Sequence, residues 1–173
     1  IDHGKSALVE RITGIDPDRL SEEKKRGMTI DLGFAWFTLS NGEEVSIIDV
    51  PGHEKFIKNM LAGVGGINMA ILVVAADEGI MPQTLEHFQI INLLNIKFLI
   101  VVITKKDLVD LDWIDLIKEE IEKLLFKSSY ENSPIIELSS ITGDGIDKLI
   151  MQIEKVVMVV QMELLHQQQA IHI

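Results

Sequence analysis

The sequence predicts an α/β domain built on a doubly wound, mostly parallel sheet with one antiparallel hairpin at its edge. Three observations carry this. Apolar, β-branched runs alternate with stretches of helical period, the rhythm of βαβ units. Met69 to Ala75 and Phe98 to Thr104 are unbroken hydrophobic runs, as parallel strands buried on both faces require. Asn41-Gly42 stands between two shorter strand-like runs, and that dipeptide favours a tight hairpin turn.

Taken along the chain, strands are expected at Phe34 to Leu39, Glu44 to Asp49, Met69 to Ala75, Phe98 to Thr104 and Pro134 to Leu138. Helices are expected at Lys5 to Thr13, Glu54 to Leu61, Gln83 to Leu94 and Asp112 to Phe126, with a last one starting near Ile146. In that last segment Leu149, Ile150, Ile153, Val156, Val157, Val160 and Leu164 recur at helical spacing, so one long amphipathic helix is expected, fraying from Gln167 onward.

The 173 residues suit one domain with a sizeable core, and a hydrophobic share of 47% is enough to pack it. The absence of cysteine excludes disulfides and thiolate metal sites, and the five histidines show no zinc-ligand spacing. The longest apolar runs are too short to cross a bilayer, so no membrane partner is expected and a cytoplasmic location is the default. A net charge of −11 excludes a bare nucleic-acid binder, which carries a basic stripe. Binding a nucleotide needs only a few well-aimed donors, and the charge does not oppose it.

Five short segments carry the chemistry. Ile1-Asp2-His3-Gly4-Lys5-Ser6 matches the closing half of a phosphate-binding loop, G-x-x-x-x-G-K-[ST]. Gly4 lets the backbone approach the phosphates, Lys5 reaches the β- and γ-phosphates, and the Ser6 hydroxyl holds Mg²⁺. The helix that follows aims its N-terminal N–H groups at the anion. Asp49-Val50-Pro51-Gly52-His53 stands at a strand end, where α/β sheets bind ligands; Asp49 is placed to hold Mg²⁺ through water and Gly52 to offer an N–H to a γ-phosphate. Thr104-Lys105-Lys106-Asp107 follows a buried strand. There the Asp107 carboxylate can accept from the N1 and N2 donors of guanine, which adenine lacks, while the Lys105 stem lies along the base. Ser139-Ser140-Ile141-Thr142-Gly143 supplies backbone N–H groups for the guanine O6, and Thr29, within Arg26-Gly27-Met28-Thr29-Ile30, completes the Mg²⁺ shell when the γ-phosphate is present. Each segment alone reads equally well as a turn or a solvated charge cluster. Together, in this order and four of them at element ends on one sheet edge, they read as a guanine-nucleotide site.

These residues resemble the GTP-binding domain of the translational GTPases, a P-loop NTPase fold, from Ile1 to about Lys155. Met81-Pro82-Gln83-Thr84 followed by Glu86-His87 is a further hallmark of that family. Within it, Thr29 to Ala35, Glu54 to Gly63, and threonine rather than asparagine at Thr104 look most like the selenocysteine-specific branch. The resemblance implies GTP hydrolysis stimulated by the ribosome, with His53 positioning the attacking water. Asp2 and His3 would join Gly4, Lys5 and Ser6 on the phosphates. It also implies delivery of selenocysteinyl-tRNA and recognition of a selenocysteine-insertion mRNA element, mainly through domains outside this sequence. An elongation factor Tu or initiation-factor type of GTPase is the alternative, and a non-catalytic domain that keeps the fold is another.

The chain departs from the family's pattern at both ends. The opening half of the phosphate loop and the strand before it, the first of the fold, are missing from the sequence. In the family that strand lies between the ones expected at Glu44 to Asp49 and Met69 to Ala75, so an open slot is expected there. Residues 1–155 are expected to form the GTP-binding domain. Residues 156–173 are expected as a helical extension or an unrecognised tail, from a truncation or an altered reading frame.

Overall fold

The computed structural model describes residues 4–17, 33–50 and 67–170. In chain order these form α1 (Lys5–Thr13), β1 (Gly33–Thr38), β2 (Glu44–Asp49), β3 (Met69–Ala75), α2 (Pro82–Leu93), β4 (Phe98–Thr104), α3 (Leu111–Leu125), β5 (Ile135–Glu137) and α4 (Ile146–Ala170), with a short 3₁₀ turn at Lys106–Leu108. The helix expected at Glu54 to Leu61 lies outside the described residues.

The hairpin is antiparallel as its Asn-Gly turn predicts, with Gly33 opposite Asp49 and Thr38 opposite Glu44. β3, β4 and β5 form a parallel sheet in that order, Met69 beside Phe98 and Val101 beside Ile135. Both faces of β4 are covered. Leu99, Val101 and Ile103 point into one core with Leu72, Val74, Phe88 and the α3 stripe Ile114, Ile117, Ile121 and Leu125. Ile100 and Val102 point into the other, with Leu8 of α1 and Ile146, Leu149 and Ile153 of α4. An unbroken apolar run is what such double coverage demands.

Local chemistry fixes the helix starts. Pro82 opens α2, and the Thr84 hydroxyl accepts from the Met81 N–H at 3.2 Å. Asp110 caps α3 by accepting from the Trp113 N–H at 2.9 Å. The backbone of α4 stays helical to Ala170, past the Gln167 at which fraying was expected. No glycine or proline interrupts it, and glutamine and alanine are favourable helix residues.

Among the described residues the hairpin and the three-stranded sheet are not hydrogen-bonded to each other: β2 pairs only with β1, and β3 only with β4. Between them runs a groove of about 520 Å³. β2 and β3 form its walls, Leu8, Val9 and Ile12 of α1 and Val156, Val157 and Val160 of α4 close one side, and Ile90, Ile91 and Leu94 lie on the other. This is the slot expected between those two strands.

Candidate functional site

The carboxyl ends of β3 and β4, the end of β2 and the start of α1 meet at one rim of the molecule. Gly4 sits ahead of α1 in a left-handed conformation (φ 76°), and a β-carbon built there would lie 3.8 Å from the Thr104 hydroxyl. Gly4 and the last residue of β4 are therefore close neighbours, with room for no more than a methyl group between them. The Ser6 hydroxyl, in the first turn of α1, donates to the Asp49 carboxylate at 2.7 Å. Asp49 ends β2 and is 4% exposed. Two oxygen groups 43 residues apart in sequence are thus brought together, as their expected roles require. Lys5, beside them, borders the groove.

The fourth segment is more constrained than its sequence suggests. Thr104 is buried, and its hydroxyl donates to the Val74 carbonyl at 3.4 Å. Lys105 adopts a left-handed backbone (φ 57°) and its ammonium pairs with Asp77 at 3.1 Å. Lys106 pairs with Asp144 at 2.6 Å. Asp107, in the 3₁₀ turn, is exposed and takes part in no ion pair or side-chain hydrogen bond among the described residues. Both preceding lysines are engaged by other carboxylates, so the Asp107 acceptors stay open to a ligand.

The fifth segment lies next to it. Ser139 is fully buried, and its hydroxyl accepts from the Thr142 N–H at 3.1 Å. The Ser140 hydroxyl oxygen is buried without a hydrogen-bond partner among the described residues. Hydrogen bonding to Lys106 is the largest cause holding the Asp144 carboxyl below its ordinary range, although burial opposes it. Behind this rim Trp113 donates its indole N–H to the Ala76 carbonyl at 2.9 Å, fixing the main chain just past β3.

Of the expected site residues, Gly4, Lys5, Ser6, Asp49, Thr104, Lys105, Asp107, Ser139 and Ser140 fall in the described structure on this rim. Asp2, His3, Thr29, Gly52 and His53 lie outside the described residues. Sequence reasoning missed Asp77, Asp144 and Trp113. Asp144 had one available signal, its place directly after Gly143 of the fifth segment.

A parallel α/β sheet whose carboxyl edge gathers a Gly-Lys-Ser helix start, a strand-end aspartate and a free carboxylate after a buried strand defines a P-loop nucleotide-binding domain. The chain belongs to the elongation factor Tu GTP-binding domain family, whose model it matches over residues 1–159. It is 52% identical over 149 residues to the selenocysteine-specific elongation factor of Desulfomicrobium baculatum, and 47% identical over 149 residues to that of Escherichia coli strain K12. In both cases 86% of this chain is covered and 24% of the relative, so the chain spans about a quarter of their length. Among solved structures, a bacterial selenocysteine-specific elongation factor superposes with a TM-score of 0.85 at 46% identity, covering 91% of this chain and 27% of that one. The elongation factor SelB of Methanococcus maripaludis, in complex with the GTP analogue GPPNHP, gives 0.78 at 34% identity over 91% of this chain and 32% of that one.

Proposed function

We propose that residues 1–155 form the GTP-binding and GTP-hydrolysing domain of a cytoplasmic translation factor that delivers selenocysteinyl-tRNA to the ribosome, with residues 156–173 as a helical extension. The observation that carries this reading is the 2.7 Å bond between Ser6 and Asp49, which assembles the phosphate end of the site from two distant segments. The relatives' names support the selenocysteine branch, as does Thr104 in the fourth segment. Contacts to the tRNA and to a selenocysteine-insertion mRNA element belong to other parts of such a factor. Among the described residues no helix is long and apolar enough to cross a membrane.

The Ser6 hydroxyl and Asp49 carboxylate are adjoining hard oxygen donors, which suits Mg²⁺, and Thr29 would join them. Bound there, the ion would neutralise phosphate charge. The protein's own contribution is positional. The first-turn N–H groups of α1 face the phosphates, with Asp2 and His3 joining Gly4 in the loop. Lys5 supplies a fixed positive charge, and Gly52 offers an N–H to the γ-phosphate. His53 orients the attacking water, in a reaction that depends on alignment and charge stabilisation more than on covalent help. Asp107 accepts from guanine N1 and N2, the Lys105 stem lies along the base, and the serine loop meets O6 through the Ser140 N–H, the Ser139 N–H being taken by the Asp144 carbonyl.

The test is a nucleotide titration of wild type and Asp107→Asn in the protein with its phosphate loop complete. The variant should lose affinity for guanine nucleotides and gain it for xanthosine nucleotides, whose base carries a carbonyl where guanine has its amino group. Unchanged GTP binding in the variant would remove the base site from this rim.

A further inference from the structure

The base-site reading requires two loops to meet one guanine at once, Asp107 on its N1/N2 edge and the Ser140 N–H on O6. Little main chain holds those loops together. β5 has three residues, and its ladder with β4 ends at Ile103 beside Glu137. Beyond it, among the described residues, two backbone bonds connect the strands' continuations, Leu138 N–H to the Ile103 carbonyl at 2.8 Å and Lys106 N–H to the Leu138 carbonyl at 3.3 Å. The loop from Ser139 to Asp144 is closed on itself: the Ser139 N–H donates to the Asp144 carbonyl at 2.9 Å, and the Gly143 N–H to the Ser139 carbonyl at 2.9 Å. It therefore shifts as one piece, and the Asp144 carboxylate is its grip on the neighbouring loop.

We propose that Lys106 and Asp144 are a positioning pair that sets the separation of the two base-facing loops, a role that rests on the base site assigned above. Their 2.6 Å contact joins the residue directly before Asp107 to the far end of the serine loop. The Lys106 side chain is 17% exposed and the Asp144 side chain 65%, so the cation is held by its surroundings while the carboxylate depends on the cation. Hydrogen bonds to the base weaken over a few tenths of an ångström, so a drift of either loop is read at the base. Neither residue is among those assigned to the phosphates, so the effect is expected at the base.

The experiment compares GDP with inosine diphosphate, which lacks the 2-amino group, in the protein with its phosphate loop complete. Asp144→Asn should weaken GDP by about two- to fivefold, the range of a partly exposed ion pair. Inosine diphosphate, held by Asp107 through N1 alone, can follow the serine loop at the cost of one bond fewer, so it should be weakened less and the GDP preference should shrink. Lys106→Met should act in the same way and serves if Asp144→Asn folds poorly. The exchanged pair, Lys106→Asp with Asp144→Lys, should restore the preference. An equal loss for both nucleotides would reduce the pair to a general stabiliser and overturn the proposal. So would an unchanged preference, or an exchanged pair that fails to restore it. Asp107→Asn run alongside separates the two levels. If it keeps the GDP preference, the base site itself is wrong; if it loses the preference while Asp144→Asn keeps it, only the pair's role falls.

Discussion

Gly145 offers a test in which the structure supplies both the cost and its control. It stands directly before α4 with φ 83°, and a β-carbon there would run into the Glu137 carbonyl and come within 2.9 Å of Leu138 Cβ and 3.1 Å of Leu138 Cα. Leu138 is fully buried, and its backbone is tied to β4, so the neighbours cannot step aside. Gly145→Ala pays about 1–2 kcal/mol for the left-handed backbone. Forcing a methyl into packed main chain adds about 1–3 kcal/mol. Gly42, in the hairpin turn, has φ 87° and nothing within 4 Å of the same built atom. Gly42→Ala therefore carries only the first cost, and the difference between the variants isolates the steric one. Urea unfolding followed by circular dichroism should place Gly145→Ala about 1–3 kcal/mol below Gly42→Ala, and thermal melts should separate them by a few degrees at about 2–4 °C per kcal/mol. Equal losses in the two variants would mean that the start of α4 yields freely, and the rigidity argued for the serine loop would go with it.

Three further outcomes are expected. His53→Ala should leave GTP affinity near that of wild type and cut ribosome-stimulated hydrolysis by at least about tenfold, roughly 1.4 kcal/mol of barrier; equal single-turnover rates on ribosomes would refute its role. Burial pushes the Glu137 carboxyl upward, but the hydrogen bond and charge of Lys118, 3.1 Å away, together with a backbone hydrogen bond and the charge of Lys106, leave the pKa lowered. A lowered carboxylate pKa stabilises the fold above the unfolded-state value and stops doing so as the pH falls through the folded one. Lys118→Met should thus be less stable than wild type near neutral pH, with the gap closing as the pH falls below the ordinary carboxylate range, and a gap independent of pH in parallel unfolding curves would refute the assignment. Extending the chain at its amino end by about ten residues that complete the phosphate loop should raise both GDP affinity and melting temperature. Micromolar GDP binding and an equally high melt without the extension would show that the groove between β2 and β3 has little bearing on the site.

Legibility in the sequence followed periodicity. β3 and β4 stand out because double burial leaves no polar residue inside them, and α3 because Ile114, Ile117, Ile121 and Leu125 repeat at helical spacing. β5 is shorter than the expected Pro134 to Leu138: only three residues pair with β4, although the Pro134 carbonyl and the Leu138 N–H at either end still bond to Val101 and Ile103 of that strand. Thr104 to Asp107 is readable from its place after a buried run, and Ser6 with Asp49 from the order of the segments. The pairs Lys105–Asp77 and Lys106–Asp144 are not readable. Asp77 and Asp144 sit in polar turns where a charged residue is ordinary, and an ion pair leaves no period in the chain.

The two-faced burial of β4 bears on how that strand finds its place. In a strand with one polar face, a slip of one residue turns apolar side chains to water and is rejected at once. β4 has no such face: Leu99, Val101 and Ile103 on one side and Ile100 and Val102 on the other are all aliphatic, so exchanging the sides costs little in polarity. What marks the register is what bounds the run, Lys97 at one end and Lys105 at the other, with Thr104 bonded across to β3. A slip in either direction would drag an ammonium into a dry interior, where an unpaired charge is prohibitive. The loop proposed to read the base thus also acts as the stop against which the central strand is threaded. A substitution there that alters nucleotide choice therefore also acts on strand alignment.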